Sequence, residues 1–372
     1  MTLYAGLISG TSMDGVEAVL LDVSAAGFQV RGAIHLDYPA DLARRLHGLI
    51  AQPGRCGLDE FGALDAAVGA VFGEATIALL RDCGIAAGEV RAIGSHGQTV
   101  LHRPRAAQPC TIQIGDPNRI AEATGIDVVA DFRRRDMAAG GEAAPLVPAF
   151  HAAAFGIAGE DRAVVNIGGI ANVTLLHADG RVAGFDTGPG NCLMDLWAAE
   201  HLGTAFDRDG ALAARGKPCE PLLQAMLREP YLALPAPKST GRELFHRAWL
   251  EPLLRAHPAG VPEVQATLSE FTAATIAQAL CAVPGFRPRE LLVCGGGAYN
   301  KELLRRLAAR LPQLAVVGSG ARGIAPDQVE AALFAWLAHR YLMGLPGNLT
   351  AVTGARGPRV LGALYKGAVT EM

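Results

Sequence analysis

Three times along the chain a short apolar run breaks into a turn of glycines and small polar residues. The turns are Gly10-Thr11-Ser12-Met13-Asp14-Gly15 after Leu3 to Ser9, Asn166-Ile167-Gly168-Gly169-Ile170-Ala171-Asn172 after Ala163 to Ile167, and Cys294-Gly295-Gly296-Gly297-Ala298-Tyr299-Asn300 after Glu290 to Cys294. Apolar runs of this length bounded by turn residues read as buried strands. Glycine in such turns lets the backbone bend sharply and approach a neighbour or a ligand closely. The first two turns lead into further strands, Val16 to Asp22 and Asn172 to His177, so one strand–turn–strand unit recurs near the start of each half. The symmetry is weak, because two hairpins alone do not establish a repeat.

Helical patterns lie between the strands. Apolar residues recur at i, i+3 and i+4 over Leu42 to Leu49 and Leu58 to Leu80. Ala92 to Ser95 is a strand that ends in the polar run Ser95-His96-Gly97-Gln98-Thr99. Thr111 to Ile114 is another, followed by Asp116 as N-cap, Pro117 at the first helical position and a short helix to Thr124. Ile126 to Ala130, Leu314 to Val317 and Val360 to Tyr365 are further strands, and Asn300 to Arg310 a further helix. The alternation predicts an α/β protein in which helices cover a mostly buried sheet in each half. With 372 residues there is room for two domains. The glycine-rich stretch from Ala138 to Pro148 is the expected boundary, giving domains 1–137 and 138–372, with the tail after 348 able to pack back on the first domain.

Composition excludes several classes. A net charge of -3 gives no reason to expect nucleic acid or an anionic membrane as partner. Seven cysteines are scattered without a CxxC pair, as expected of reduced thiols in a cytoplasmic protein. The opening MTLYAGLISG lacks the basic segment of a signal peptide. No apolar stretch approaches about 20 residues. The best candidate, Val329 to Leu345, carries Glu330, His339 and Arg340 and reads as a core helix.

Glycine-freed backbone N–H groups make anion cradles, and phosphate is the usual anion. In the first turn, hydroxyls of Thr11 and Ser12 can donate to phosphate, and the Asp14 carboxylate can hold a hydrated Mg²⁺. A plain hairpin turn is the alternative there, and close backbone packing is the alternative for Asn166, Gly168 and Gly169. Gly295, Gly296 and Gly297 end a strand and open a helix, a location suited to a nucleotide. Asp186, in Gly184-Phe185-Asp186-Thr187-Gly188-Pro189-Gly190-Asn191, ends a strand before a rigid turn and suits a general base, or else caps the next helix. No GxSxG elbow surrounds Ser95-His96, so a binding loop is a better reading than a hydrolase. The Arg133-Arg134-Arg135 run is a solvated face or supplies one clamp for a carboxylate or phosphate. Glu330, early in an apolar helix, faces a cleft or a salt-bridge partner.

Taken together, these residues resemble the anhydro-N-acetylmuramic acid kinase family. The stretches that carry the resemblance are GTSMDG from Gly10, SHGQT from Ser95, QIGDPN from Gln113, Asp131 to Arg133 with GGEAAPLVP, NIGGIANV from Asn166, GFDTGPGN from Gly184, PKSTGRE from Pro237, CGGGAYN from Cys294 and NLTAVTG from Asn348. They stand in the family's order from residue 3 almost to the end. The resemblance implies two related actin-like ATPase domains, as in actin, hexokinase and heat-shock chaperones, with a nucleotide cleft between them. It also implies an ATP-dependent kinase that opens the 1,6-anhydro bridge of its sugar with water and phosphorylates O6. Carried onto this chain, Asp186 activates water and Glu330 helps to hold it. Gly10 through Glu17, including Gly15 and Val16, binds ATP phosphates, with Asp14 on the metal. Ser95, His96, Gln98, Thr99, Arg133 and Asn172 are candidates for the sugar, arginine suiting a lactyl carboxylate. A homodimer is expected on the resemblance alone. This chain departs from the family at Glu17, usually Asp, and at Glu142-Ala143, where Gln-Gly is expected. Two rivals stand beside this reading: another kinase of the superfamily, and a non-catalytic nucleotide-dependent scaffold.

Overall fold

The computed structural model describes residues 2–10, 13–25, 27–241 and 243–367. Among them the strands are β1 (Thr2–Ser9), β2 (Gly15–Ser24), β3 (Gly27–Asp37), β4 (Val90–Arg103), β5 (Cys110–Ile114), β6 (Val128–Ala130), β7 (Arg162–Ile167), β8 (Ile170–Leu176), β9 (Val182–Pro189), β10 (Glu290–Cys294), β11 (Ala315–Gly318) and β12 (Ala363–Tyr365). The chain divides into two compact units, Met1–Ala154 with Gln328–Met372, and Phe155–Asp327. The boundary expected at 137/138 is therefore displaced, and the chain from Gln328 onward returns to the first unit. Two contacts bring it back. The helix Val329–Leu342 buries its apolar side on β1 and β4, and β12 pairs antiparallel with β6.

In the first unit the sheet order is β12-β6-β4-β1-β2-β3, with β5 paired to β4. β1 and β2 are buried almost throughout, as central strands covered on both faces are. β3, at the edge, alternates instead between half-buried and exposed positions. Its apolar Phe28, Val30, Ile34 and Leu36 are separated by Gln29, Arg31 and His35, the period-2 pattern of a one-sided strand. Such a strand does not show in the sequence as an apolar run. Gly6 of β1 and Gly94 of β4 are register partners. A Cβ on Gly6 would lie 2.0 Å from the Ala331 carbonyl oxygen, and one on Gly94 would lie 1.9 Å from that of Phe334. The missing side chains let the helix Val329–Leu342 lie directly on the central strands, and so fix where Glu330 starts it. The helix Leu58–Cys83 is apolar and long enough to cross a membrane by length and composition, but 56% of its most apolar window is buried within the protein. Its Leu64, Val68, Phe72 and Leu79 join the core of this unit with Leu7, Leu20 and Ile93.

In the second unit the order is β11-β10-β7-β8-β9. β7, β8 and β9 are antiparallel neighbours, and β10 and β11 run parallel to β7. The first unit repeats this arrangement strand for strand as β6-β4-β1-β2-β3. The protein is an α/β protein of two related domains. The second core gathers Val165, Val173, Leu268, Phe271, Ile276 and Leu291 around the long helix Val261–Cys281.

Candidate active site

In the second unit the register sets residues from four sequence segments in one row. Cys294 of β10 pairs with Asn166 of β7, Asn166 with Asn172 of β8, and Asn172 with Asp186 of β9. Directly opposed residues project from the same face of a sheet, so Asn166, Asn172 and Asp186 emerge together. The glycine turns close on this row. The amides of Gly190, Asn191 and Cys192 donate to the carbonyls of Gly168 and Gly169 at 2.7 to 3.1 Å. A Cβ on Gly190 would meet the Gly168 oxygen at 2.2 Å, and one on Gly295, where φ is +77°, would meet Asn166 Oδ1 at 2.3 Å. Thr272 Oγ1 of the long helix braces the Gly190 carbonyl at 2.8 Å.

Asp186 sits inside β9 rather than at the cap of the next helix, where Asn191 precedes Cys192–Leu202. An irregularity in the β8–β9 register falls between Ala171 and Asn172, so that β9 bulges at Thr187. Such bulges re-aim the adjoining side chain. The segment carrying PKSTGRE and the turn before it hold the residue in place: Thr240 N–H donates to Asp186 Oδ2 at 2.9 Å, the Asp186 amide donates to Lys238 O at 3.1 Å, and Tyr231 Oη of the turn donates to Asp186 O at 2.9 Å. Burial raises the Asp186 pKa from its ordinary value, the Thr240 amide opposes this, and Glu243 adds to it. A carboxylate fixed through one oxygen and made more basic by its surroundings is equipped to take a proton.

Gly296, Ala298, Tyr299, Asn300 and Lys301 line one side of a cavity of about 690 Å³ in this unit. Met194, Asp195 and Phe206 to Asp209 line the other, and reading motifs did not find them. Their signal was faint: a polar turn, Asp207-Arg208-Asp209-Gly210, without phosphate-loop spacing. The volume and mixed lining suit a nucleoside-sized ligand. Asn300 lines this cavity, yet its Oδ1 also caps the helix Lys301–Arg310 by accepting from Leu303 N at 3.0 Å.

In the first unit Thr11 and Ser12 lie outside the described residues. Gly10 is half-buried and its carbonyl accepts from the Met13 amide, while Met13 is buried at φ +54°. Asp14 is exposed, and Gly15 and Val16 begin β2. Glu17 lies across from His35, whose Nδ1 is 2.7 Å from Glu17 Oε1. Ser9 Oγ donates to Gln98 Oε1 at 2.6 Å and ties this turn to the Ser95 to Thr99 segment. That segment lies within β4, with Gly97 at φ +73°. Ser95 Oγ is buried without a hydrogen-bond partner among the described residues, and Thr99 Oγ1 accepts from Gln113 Nε2 at 3.1 Å.

Arg133 Nε donates to His96 Nε2 at 2.8 Å, and Arg133 Nη1 to Ala143 O at 2.7 Å. No carboxylate lies within ion-pair distance of Arg133 among the described residues, although Glu330 and Asp136 act on it at longer range. Burial pulls its pKa down to about 10. A half-buried guanidinium bonded only to neutral acceptors is prepared for an external anion. Glu330 is exposed, yet crowding by protein raises its pKa, Arg133 opposing and Glu17 adding. Ala143, one of the two departures at 142–143, adopts φ +61°, a conformation that favours the glycine expected there. Glu142 pairs with Arg105 at 2.8 Å.

A family profile described as Anhydro-N-acetylmuramic acid kinase matches residues 2–367. The chain is similar to the anhydro-N-acetylmuramic acid kinase of Xanthomonas campestris pv. campestris (strain 8004), 52% identical over 368 residues that cover 98% of this chain and 97% of the relative. It is 49% identical to the Vibrio parahaemolyticus enzyme of the same name, over 98% of both chains. Among solved structures, the activator of the 2-hydroxyisocaproyl-CoA dehydratase from Clostridium difficile with bound ADPNP aligns at 13% identity and a TM-score of 0.47, covering 92% of this chain and 97% of that one. With the profile spanning nearly every residue and relatives half identical over the full length, the chain belongs to the anhydro-N-acetylmuramic acid kinase family.

Proposed function

We propose that the protein is an ATP-dependent kinase that hydrolyses the 1,6-anhydro bridge of 1,6-anhydro-N-acetylmuramic acid and phosphorylates O6, giving N-acetylmuramic acid 6-phosphate and ADP. Family membership supports the kinase activity, and the geometry of Asp186 carries the hydrolytic half. With Oδ2 held by Thr240 N–H, the carboxylate takes a proton from the water that attacks the anomeric carbon. The C1–O6 bond breaks, the water oxygen stays on C1, and O6 leaves as the acceptor of the phosphoryl group. Glu330 is the second carboxylate, assigned to holding that water. Arg133, with donors to spare beyond His96 and Ala143, pairs with the lactyl carboxylate. Ser95, His96, Gln98, Thr99 and Asn172 complete the sugar contacts.

The residues present fit the co-substrate and its metal. The 690 Å³ cavity beside Gly296 takes the nucleoside, and the turns at Gly10 to Glu17, Asn166 to Gly169 and Gly295 to Gly297 take the phosphates. Among the described residues no three His, Cys, Asp or Glu side chains converge on a metal position. Mg²⁺ keeps most of its waters and needs only one or two carboxylates, so the exposed Asp14 suffices. When bound, ATP and Mg²⁺ supply the phosphoryl group and neutralise its charge. The reading extends to a cytoplasmic homodimer: seven cysteines with no disulfide among them accord with a reducing compartment, and the dimer rests on the family resemblance.

The test is mass spectrometry of the product from 1,6-anhydro-N-acetylmuramic acid, ATP and Mg²⁺ in ¹⁸O-labelled water, at short times to limit anomeric exchange. Phosphorylated N-acetylmuramic acid labelled at the anomeric carbon is expected. ADP formation only with some other sugar would overturn the reading.

A further inference from the structure

Asp136 is a fully buried carboxylate, and among the described residues it has no cation within ion-pair distance. Neutral donors balance it: Asn348 Nδ2 at 2.7 Å and Thr353 Oγ1 at 2.8 Å on Oδ1, and Ala143 N at 2.9 Å on Oδ2. Two of these come from the NLTAVTG segment, more than two hundred residues away in sequence. The same residue that donates to Asp136 accepts from Arg133: Ala143 N–H faces the carboxylate and Ala143 C=O faces the guanidinium at 2.7 Å. Ala143 thus bonds to both the carboxylate and the guanidinium, one through its N–H and one through its C=O. Arg133 is held beside Asp136 without being consumed by it, and its Nη2 donors meet no protein acceptor among the described residues. Further bonds zip the segment to this loop, from Glu142 N to Thr353 O at 2.7 Å and from Arg356 N to Ala139 O at 2.9 Å. A buried carboxylate tied to three neutral donors is a costly way to gain stability alone, because well-packed apolar groups do as well.

We propose that Asp136 is a positioning residue for recognition of the sugar acid, through which the C-terminal segment Asn348–Gly354 sets the donor geometry of Arg133. The inference rests on the reading above that Arg133 binds the sugar's carboxylate. Thr353 is the place to test it, since Thr353→Val removes one hydrogen bond at nearly constant volume, whereas Thr353→Ser keeps it.

The experiment measures KM for 1,6-anhydro-N-acetylmuramic acid and for ATP in wild type, Thr353→Val, Thr353→Ser and Arg133→Gln. The rise in melting midpoint on adding the sugar is recorded for each, so that a weakened variant still reports binding. Loss of one hydrogen bond corresponds to about a 3- to 10-fold change. Thr353→Val is expected to raise the sugar KM by about that factor with the ATP KM unchanged, Thr353→Ser to stay near wild type, and Arg133→Gln to show the largest rise. If Arg133→Gln raises the sugar KM and Thr353→Val does not, the positioning role is overturned while the reading of Arg133 stands. If Thr353→Val raises both KM values alike, the segment is a structural brace and the proposal fails. An unchanged sugar KM in Arg133→Gln removes the reading of Arg133, and the inference with it.

Discussion

The hydrogen bond from Arg133 Nε to His96 Nε2, 2.8 Å long, fixes the charge state of the histidine. An arginine can only donate, so His96 Nε2 must be the unprotonated nitrogen, and the ring proton sits on Nδ1, which donates to Gly97 O at 3.0 Å. An imidazolium would have no acceptor to offer. Burial first, and Arg133 second, push the His96 pKa well below its ordinary value. The ring also lies against Phe334, with centroids 4.5 Å apart. His96 is therefore a neutral acceptor that aims a cation, not a proton shuttle.

The pairing has a consequence for acid stability. His151, fully buried, is likewise pulled down to about 3 by desolvation. For both histidines the folded pKa lies below the unfolded value of about 6.5, so the unfolded chain binds more protons in between. Stability contributed by the neutral rings is complete above that value and is lost as pH falls below it. Melting midpoints measured across pH should be level between pH 7 and 8 and fall below pH 6, each histidine costing up to about 1.4 kcal/mol per pH unit. A level profile down to pH 5 would contradict the burial of uncharged rings.

Asp186 must be ionised to take a proton, and its surroundings raise its pKa. The acid limb of kcat should accordingly lie at higher pH than for an unperturbed aspartate. Exposed Glu243 contributes to the rise, so Glu243→Gln should move the limb to lower pH. Asp186→Asn should reduce kcat by roughly 10²- to 10⁴-fold. Initial rates from pH 4 to 8 decide this, and wild-type turnover in the Asn variant would remove Asp186 as the base.

Gly296 offers a test of the nucleotide cavity that leaves the fold alone. A Cβ there meets nothing nearer than Asn191 Nδ2 at 3.8 Å, so a side chain fits but projects among the cavity-lining residues. Gly296→Val should raise the ATP KM about tenfold or more, as expected when an added group clashes with a ligand for 1–3 kcal/mol, with the sugar KM unchanged. Equal effects on both KM values would place the nucleoside elsewhere.

Gly6→Ala and Gly94→Ala each drive a methyl group against the backbone of the helix Val329–Leu342. Overpacking of this kind costs roughly 1–3 kcal/mol, and backbone cannot swing away as a side-chain tip can. Urea unfolding should show both variants destabilised by at least about 1 kcal/mol. Stability equal to wild type would mean that the helix does not rest on these strands.

Much of the first-order organisation was legible in local chemistry. Asp116 accepts from Asn118 N and Pro117 opens that helix, as the sequence predicted, because caps depend only on neighbours a few residues apart. The strands flanking the glycine turns announced themselves as apolar runs because they are central and covered on both faces. β3 did not, since an edge strand needs apolar residues on one side only. Thr353 stood in a motif without a role and Asp136 in none, because their meaning lies in a contact between segments far apart in the chain.

The sequence by itself determined the alternation of strands and helices, the glycine turns, and, through the order of its motifs, the family. Tertiary structure decided which of those motifs meet. It set Cys294, Asn166, Asn172 and Asp186 in one row by strand register, gave Asp186 to the Pro237–Glu243 segment, and returned the chain after Gln328 to the first unit. The physical reason is one of range. Turn and cap preferences are settled within a few residues, whereas register and burial are settled by packing, where a missing methyl at Gly6 or Gly94 determines what can lie against the sheet.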